Sequence, residues 1–424
     1  MLTERLGALG APADVLRAVD AWTRRAGVPP PAALIGEWFG SRAVIAPSVE
    51  VKPVDPASVF DIGPGSGTVG GAVGGGWIGY LSYPDPGADG APPRIPEAAG
   101  GWTDCVLRLD CEGTWWYESL SGATPPDWLT HALSSRPPIG DCQIDWQMPD
   151  AAAHRAAVLS CLEAIRAGEV YQACVCTQFT GTVTGPPLQF FADAVTRTTP
   201  ARAAYLEGRW GAVASLSPEL FLRRVGEEVS SSPIKGTLPL HADPEVLRAS
   251  VKDVAENIMI VDLVRNDLGR VAHTGSVTAP ELLAVRRAPG VWHLVSTVSA
   301  RVPASLPMSA VLDATFPPAS VTGTPKTRAR HLLEQWERQR RGVYCGTVGL
   351  ASPLAGWELN VAIRTVEFDA DGHAVLGVGG GITADSDPDA EWQECLHKAA
   401  PILGSAAAQE SAFPESGRDR STAS

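Results

Sequence analysis

The feature that most constrains this chain is how its apolar period changes after Asp150. Stretches with helical spacing and stretches with strand alternation follow one another, but not in strict β–α order. Asp150 is placed to cap a helix over residues 151–167, which Gly168 would end. His154, Val158, Cys161, Leu162 and Ile165 form its apolar stripe, and residues 170–179 then alternate as a strand does. Further strands are expected over 203–207, 212–215, 221–225, 291–302, 343–351, 357–368 and 374–378. Asp243-Pro244 opens a helix that should continue through Val251, Val254, Ile258, Val261 and Val264 to Leu268, and Asp387-Pro388 opens a last one ending near Leu403. Many strands and several helices without alternation imply an α+β architecture.

Composition sets the class. The chain of 424 residues carries a formal charge of −13, which argues against nucleic acid as the main partner, because phosphate neutralisation needs clustered Lys and Arg. No apolar run approaches the roughly 20 residues that span a bilayer, and the first residues lack the apolar stretch of a secretory signal. The eight cysteines form no C-x-x-C pair and read as free thiols, so a cytoplasmic location is expected. Residues 1–149 are rich in Gly, Pro and Trp. Clusters at 63–76 and 84–96 read as a glycine-lined turn beside a strand and as a loop, and no phosphate-loop spacing accompanies the first. Residues 405–424 have almost no apolar content and are expected to be a disordered tail.

Two helices offer paired acids. Asp253 and Glu256 are three apart on one, Glu391 and Glu394 three apart on the other, so each pair shares a helix face. Like charges so placed repel, and a divalent cation between them would offset the cost. Clustered carboxylates with few other ligands suit Mg²⁺, which keeps water and often bridges to an anionic substrate. Solvated helix faces also carry such pairs, so the spacing alone leaves both readings open.

Several stretches, taken together and in order, resemble the chorismate-utilising enzymes, a family that includes anthranilate synthase, aminodeoxychorismate synthase, isochorismate synthase and salicylate synthase. They are Ser217-Pro218-Glu219, Pro233-Ile234-Lys235-Gly236-Thr237, the run from Glu256-Asn257 to Asn266-Asp267-Leu268-Gly269-Arg270, His293-Leu294-Val295-Ser296, Gly323-Thr324-Pro325-Lys326, Ala362-Ile363-Arg364-Thr365, and Gly379-Gly380-Gly381-Ile382 with Asp385-Ser386. The resemblance implies an α+β fold of two antiparallel β-sheets packed as a sandwich with helices outside and the active site between the sheets. Residues 150–404 would form the chorismate-binding catalytic domain, and 1–149 would contribute to the same unit. It implies that Glu256, Glu391 and Glu394 hold Mg²⁺ with the ring carboxylate of chorismate, and that Asp253 adds a neighbouring acid. Arg364, with Tyr344 close by, would meet the enolpyruvyl carboxylate, a task suited to a planar guanidinium fork. Gln172, His293, Ser320, Gly379, Gly380, Gly381 and Lys398 would complete the substrate site.

Three positions separate the sister reactions. The resemblance implies that Lys235 attacks the ring at C2 as the 4-hydroxyl departs, after which ammonia enters at C4 and expels the lysine. Glu219 looks like the general acid that protonates the departing hydroxyl, a role that a shielded carboxyl with a raised pKa suits. Gln172 stands near where the water-using members carry a water-activating lysine, and its amide favours ammonia as the incoming nucleophile. The expected reaction is therefore amination of chorismate with retention of the enolpyruvyl group. No Gly-x-Cys-Leu-Gly elbow is present, so a separate glutaminase subunit is expected to supply ammonia. Cys174 and Thr324 depart from the family pattern, and the link from Lys235 to Asp253 is short.

Overall fold

A computed structural model describes residues 1–63, 65, 71–85, 92–135 and 140–404. The expected tail, 405–424, and parts of both Gly/Pro clusters lie outside the described residues.

Two antiparallel sheets dominate, of twelve and ten strands. The strand Arg202–Gly208 shows why they stack. Its apolar residues do not alternate with polar ones, because both faces are covered. Ala203 and Tyr205 point to the helices Pro12–Ala26 and Pro187–Thr198, where Leu16, Val19, Leu188 and Phe191 meet them. Ala204 and Leu206 point the other way, into a core shared with Ile78, Tyr80, Val348 and Leu350 of the second sheet. A strand buried on both faces reads as a continuous apolar run. The result is the α+β sandwich expected from the family pattern. Strands before residue 149 join both sheets: Ala32–Trp38 pairs with Arg202–Gly208 in the first, and Gly76–Leu81 pairs with Thr347–Ser352 in the second. Gly76 begins its strand at φ 143°, where a Cβ would stand 2.0 Å from the Ala351 carbonyl oxygen, so only glycine fits.

Three expected elements are corrected. The run 357–368 is two strands, Gly356–Asn360 in the second sheet and Thr365–Asp369 in the first. The chain crosses between sheets from 361 to 364, and a sequence pattern alternating on both sides of a crossover looks unbroken. The strand at 343–351 begins only at Thr347, because Cys345 turns at φ 67° and places Tyr344 in the turn. The helix expected from Asp243 to Leu268 is two, Glu245–Ala249 and Val251–Gly269. Ser250 breaks it with extended backbone, and its hydroxyl caps the second helix by accepting from the Asp253 N–H at 3.2 Å. Ser250→Ala should cost about 1 kcal/mol in urea unfolding. A cost near zero would show that the cap adds nothing to the helix that carries Asp253 and Glu256.

The second of these helices buries only the C-terminal part of the stripe expected, and its first turns differ. Val251 is 85 % and Ile258 46 % exposed, whereas Asn257, Ile260, Val261, Val264 and Leu268 are buried. Asn257 fixes the orientation, donating to the Leu294 carbonyl at 3.2 Å and accepting from the Ser296 hydroxyl at 2.5 Å. That leaves the N-terminal turn, with its acids, facing the space between the sheets. The helices at 151–166 and 388–403 form as expected, each capped by the predicted aspartate.

Candidate active site

Two crossovers between the sheets lie side by side and set the site. In one, Ser217-Pro218-Glu219 links Gly211–Ser217 of the first sheet to Leu220–Val225 of the second; Arg364 ends the other. Backbone bonds tie them together: the Val361 N–H donates to the Glu219 carbonyl and the Leu216 N–H to the Arg364 carbonyl, while the Ser217 hydroxyl donates to the Val361 carbonyl. Glu219 thus sits in a crossover, not on the strand that adjoins it. Arg364 takes φ 51°, a conformation that costs a residue with a Cβ some energy. Among the described residues its guanidinium has no hydrogen-bond or ion-pair partner, and burial holds its pKa below the usual value. A guanidinium so placed is ready for a carboxylate.

Lys235 lies on Ile234–Pro239, an edge strand of the second sheet, and its ammonium donates to the Ser320 carbonyl at 3.2 Å. Opposite it, in the first sheet, Gln172–Thr184 pairs with His373–Ile382 and sets Cys174 against Gly381 and Val175 against Gly380. A Cβ at Gly381 would stand 2.3 Å from Gln172 Nε2 and 3.2 Å from Lys235 Nζ. The glycine therefore brings the two ends of the sandwich together over a bare strand. Gln172 is fully buried, and neither its amide nitrogen nor its oxygen has a partner among the described residues. An unpaired buried amide is costly, so this side chain has hydrogen-bonding capacity left for a further partner.

Glu219 is 4 % exposed, and its pKa is pushed up to about 7. Burial is the cause, partly offset by the Ser320 hydroxyl, the Lys235 charge and the Ile234 N–H. His293 accepts or donates at 2.9 Å between Nδ1 and the Thr237 hydroxyl; burial, with Arg364 adding a like charge, pushes its pKa down to about 4, so it is neutral near pH 7. Tyr344 packs on Gly377, and burial raises its hydroxyl's pKa.

The acid pairs converge from opposite sides. Helix Val251–Gly269 packs on strands Ile234–Pro239 and Val291–Arg301 of the second sheet, and helix Pro388–Leu403 packs on His373–Ile382 of the first. A Cβ at Gly380 would stand 2.8 Å from Glu391 Oε2 and 3.9 Å from Glu394 Oε1. Glu391 Oε1 accepts from the Ser386 hydroxyl at 2.6 Å. Asp253 lies against Gly236, where a Cβ would come within 3.1 Å of its carboxyl carbon. Burial raises the Glu256 pKa, with Lys235 and Lys252 opposing the shift, and its Oε1 is buried with no hydrogen-bond partner. Lys398 donates to the Gly379 carbonyl at 2.8 Å and to Glu394 at 2.7 Å. Among the described residues no three acid, histidine or cysteine side chains form a ready-made metal cage. Ammonium groups stand among the carboxylates instead.

Lys252 escaped the sequence reading, and Lys326, which that reading quoted only within a motif, was given no role. Lys252 stands 3.9 Å from Glu256 Oε1 and 3.5 Å from Glu391 Oε1, and its i,i+4 spacing to Glu256 was the available signal. Lys326 of Gly323-Thr324-Pro325-Lys326 pairs with Asp267 at 2.6 Å and donates to the Thr315 carbonyl, which gives that motif a structural use.

Residues 64–404 match the chorismate binding enzyme family. The chain belongs to that family. It is 44 % identical over 246 residues to aminodeoxychorismate synthase component 1 of Klebsiella aerogenes, which covers 56 % of this chain and 54 % of that protein. It is 37 % identical over 333 residues to anthranilate synthase component 1 of Arthrobacter globiformis, covering 74 % of this chain and 60 % of that one. The chain thus spans little more than half the length of these curated relatives. Anthranilate synthase component I from Streptococcus pneumoniae TIGR4 shares the fold, with a TM-score of 0.70 over 89 % of this chain and 90 % of that one at 24 % identity. No described helix is long and apolar enough to cross a membrane.

Proposed function

We propose that this family member aminates chorismate at C4, giving 4-amino-4-deoxychorismate, as the name of the Klebsiella relative suggests. The observation that carries the reading is the Lys235 amine beside Gln172 over Gly381, with Glu219, a carboxyl half-protonated near neutrality, next to Ser320. The Lys235 amine, once deprotonated, adds its electron pair to C2, the ring π-electrons shift, and the C4–O bond breaks. Glu219 gives its proton to the departing oxygen, which leaves as water. Ammonia then adds at C4, the π-electrons shift back, and the C2–N bond to Lys235 breaks. The Glu219 carboxylate takes the surplus proton from the incoming nitrogen and is reset. Arg364 and neutral His293 hold the enolpyruvyl side of the substrate, and the unpaired Gln172 amide orients the incoming ammonia.

The carboxylates fit a hard divalent cation. Their donors are all oxygens, Glu256 Oε1 is buried without a hydrogen bond, and Gly380 leaves the space before Glu391 and Glu394 bare. Glu256, Glu391 and Glu394 would hold Mg²⁺, with Asp253 beside them. Bound there, it supplies the positive charge that fixes the ring carboxylate. Ammonia comes from a separate glutaminase subunit in this reading, and a cytoplasmic folate or specialised 4-aminobenzoate pathway would use the product.

The test is product identity. Purified chain with chorismate, Mg²⁺ and ammonium at alkaline pH should accumulate 4-amino-4-deoxychorismate without pyruvate. Anthranilate with pyruvate would assign the anthranilate branch, and isochorismate or salicylate the water-using branch. Addition of a cognate glutaminase should make glutamine a better nitrogen donor than ammonium.

A further inference from the structure

Four acids meet at this site, and the lysines among them are not equivalent. Lys398 is anchored, its ammonium held by the Gly379 carbonyl and Glu394 at hydrogen-bond distance. Lys252 is not. Its side chain is half exposed, its ammonium makes no hydrogen bond at normal distance, and it lies 3.5 Å from Glu391 Oε1 and 3.9 Å from Glu256 Oε1. Those two carboxylates belong to different helices, each packed on a different sheet. Both are nearly buried, and Glu256 Oε1 lacks any hydrogen bond. Between them is a place that favours positive charge, and what reaches it is a tethered ammonium on a flexible stem that opens to solvent.

We propose that Lys252 is a displaceable stand-in for the divalent cation. With no metal bound, its ammonium bridges Glu256 and Glu391 and keeps the two acidic helices from repelling each other. When a divalent cation binds, the side chain swings outward into solvent. Lys252 therefore competes with the metal, lowers its affinity in the absence of substrate, and keeps the site assembled until metal and substrate arrive together. The inference rests on the assignment of these acids to a divalent cation.

Mn²⁺ titrated into the purified chain without chorismate, followed by electron paramagnetic resonance of the free ion, separates the two ideas. Lys252→Gln should bind Mn²⁺ about tenfold more tightly than the wild type, the size expected for loss of two partly exposed ion pairs. Its melting temperature without metal should fall and should recover on adding Mn²⁺. Lys252→Arg, which keeps the charge, should bind as the wild type does. Lys52→Gln removes the same charge from an exposed pair with Glu50 and should also bind as the wild type does. Unchanged or weaker binding in Lys252→Gln overturns the stand-in while leaving the cation site intact. Equal tightening in Lys52→Gln would reduce the effect to net charge and overturn it too. No Mn²⁺ binding by wild type or variant would overturn the cation site itself.

Discussion

Lys235→Ala should lose amination by about three orders of magnitude or more, because an enzyme without its nucleophile retains only what binding and electrostatics provide. Unfolding will not explain the loss. The ammonium makes one hydrogen bond, to the Ser320 carbonyl, and an exchange of that bond for water costs about 1 kcal/mol. The variant should therefore melt close to the wild type and still bind chorismate and Mn²⁺. Charge and nucleophilicity separate in Lys235→Arg, which keeps a cation near Glu219 and Glu256 but cannot attack carbon. If the arginine variant turned over at a substantial fraction of the wild-type rate, the lysine would serve only to pair with a carboxylate. Intact-mass analysis gives an independent check. Wild-type chain quenched with chorismate and without ammonia should carry an adduct of chorismate less water, and neither variant should.

Much of this site was legible in the sequence for a physical reason. Helix faces and strand faces have fixed periods, so Glu391 and Glu394 could be placed together, and the caps at Asp387 on their helix and at Asp150 on the helix 151–166 follow from short polar side chains that accept backbone N–H groups. What could not be read was where the chain changes layers. Residues 356–369 keep a strand-like pattern while passing from one sheet to the other, so nothing local announces that Arg364 stands in a crossover at positive φ. The break at Ser250 was hidden similarly, because Val251 and Ile258 extend an apolar pattern that the fold leaves exposed. Lys252 was overlooked for another reason. A lysine four residues before a glutamate is ordinary surface chemistry, and only the approach of a second helix turns the pair into a bridge. Pairings within one element are written locally, whereas partners across the sandwich are set by the crossovers.

Glu219→Gln should separate catalysis from stability, because the same burial drives both. Its folded pKa of about 7 lies above the ordinary glutamate value of 4.5, so folding takes up a proton between those two values. The sign then follows: the folded chain binds more protons, and the group's contribution to stability falls as pH rises through this window. Above pH 7 the ionised, buried carboxylate costs on the order of 3 kcal/mol relative to a solvated one. Glutamine has no charge to desolvate, so Glu219→Gln should be more stable than the wild type at pH 8, with the gap closing by about pH 4.5. Turnover should move oppositely. The amide cannot protonate the departing hydroxyl, and loss of a positioned general acid costs about 10²–10⁴-fold. In the wild type, with free ammonia held constant, turnover should decline as pH rises past about 7, and the variant should lack that alkaline decline. Urea unfolding at several pH values and a pH–rate profile read the two halves separately. A variant that is slower but no more stable at pH 8 would mean that Glu219 is already protonated there or is not confined as the crossover holds it. A variant with normal turnover would remove Glu219 from the proton transfer altogether and leave a solvent molecule as the acid.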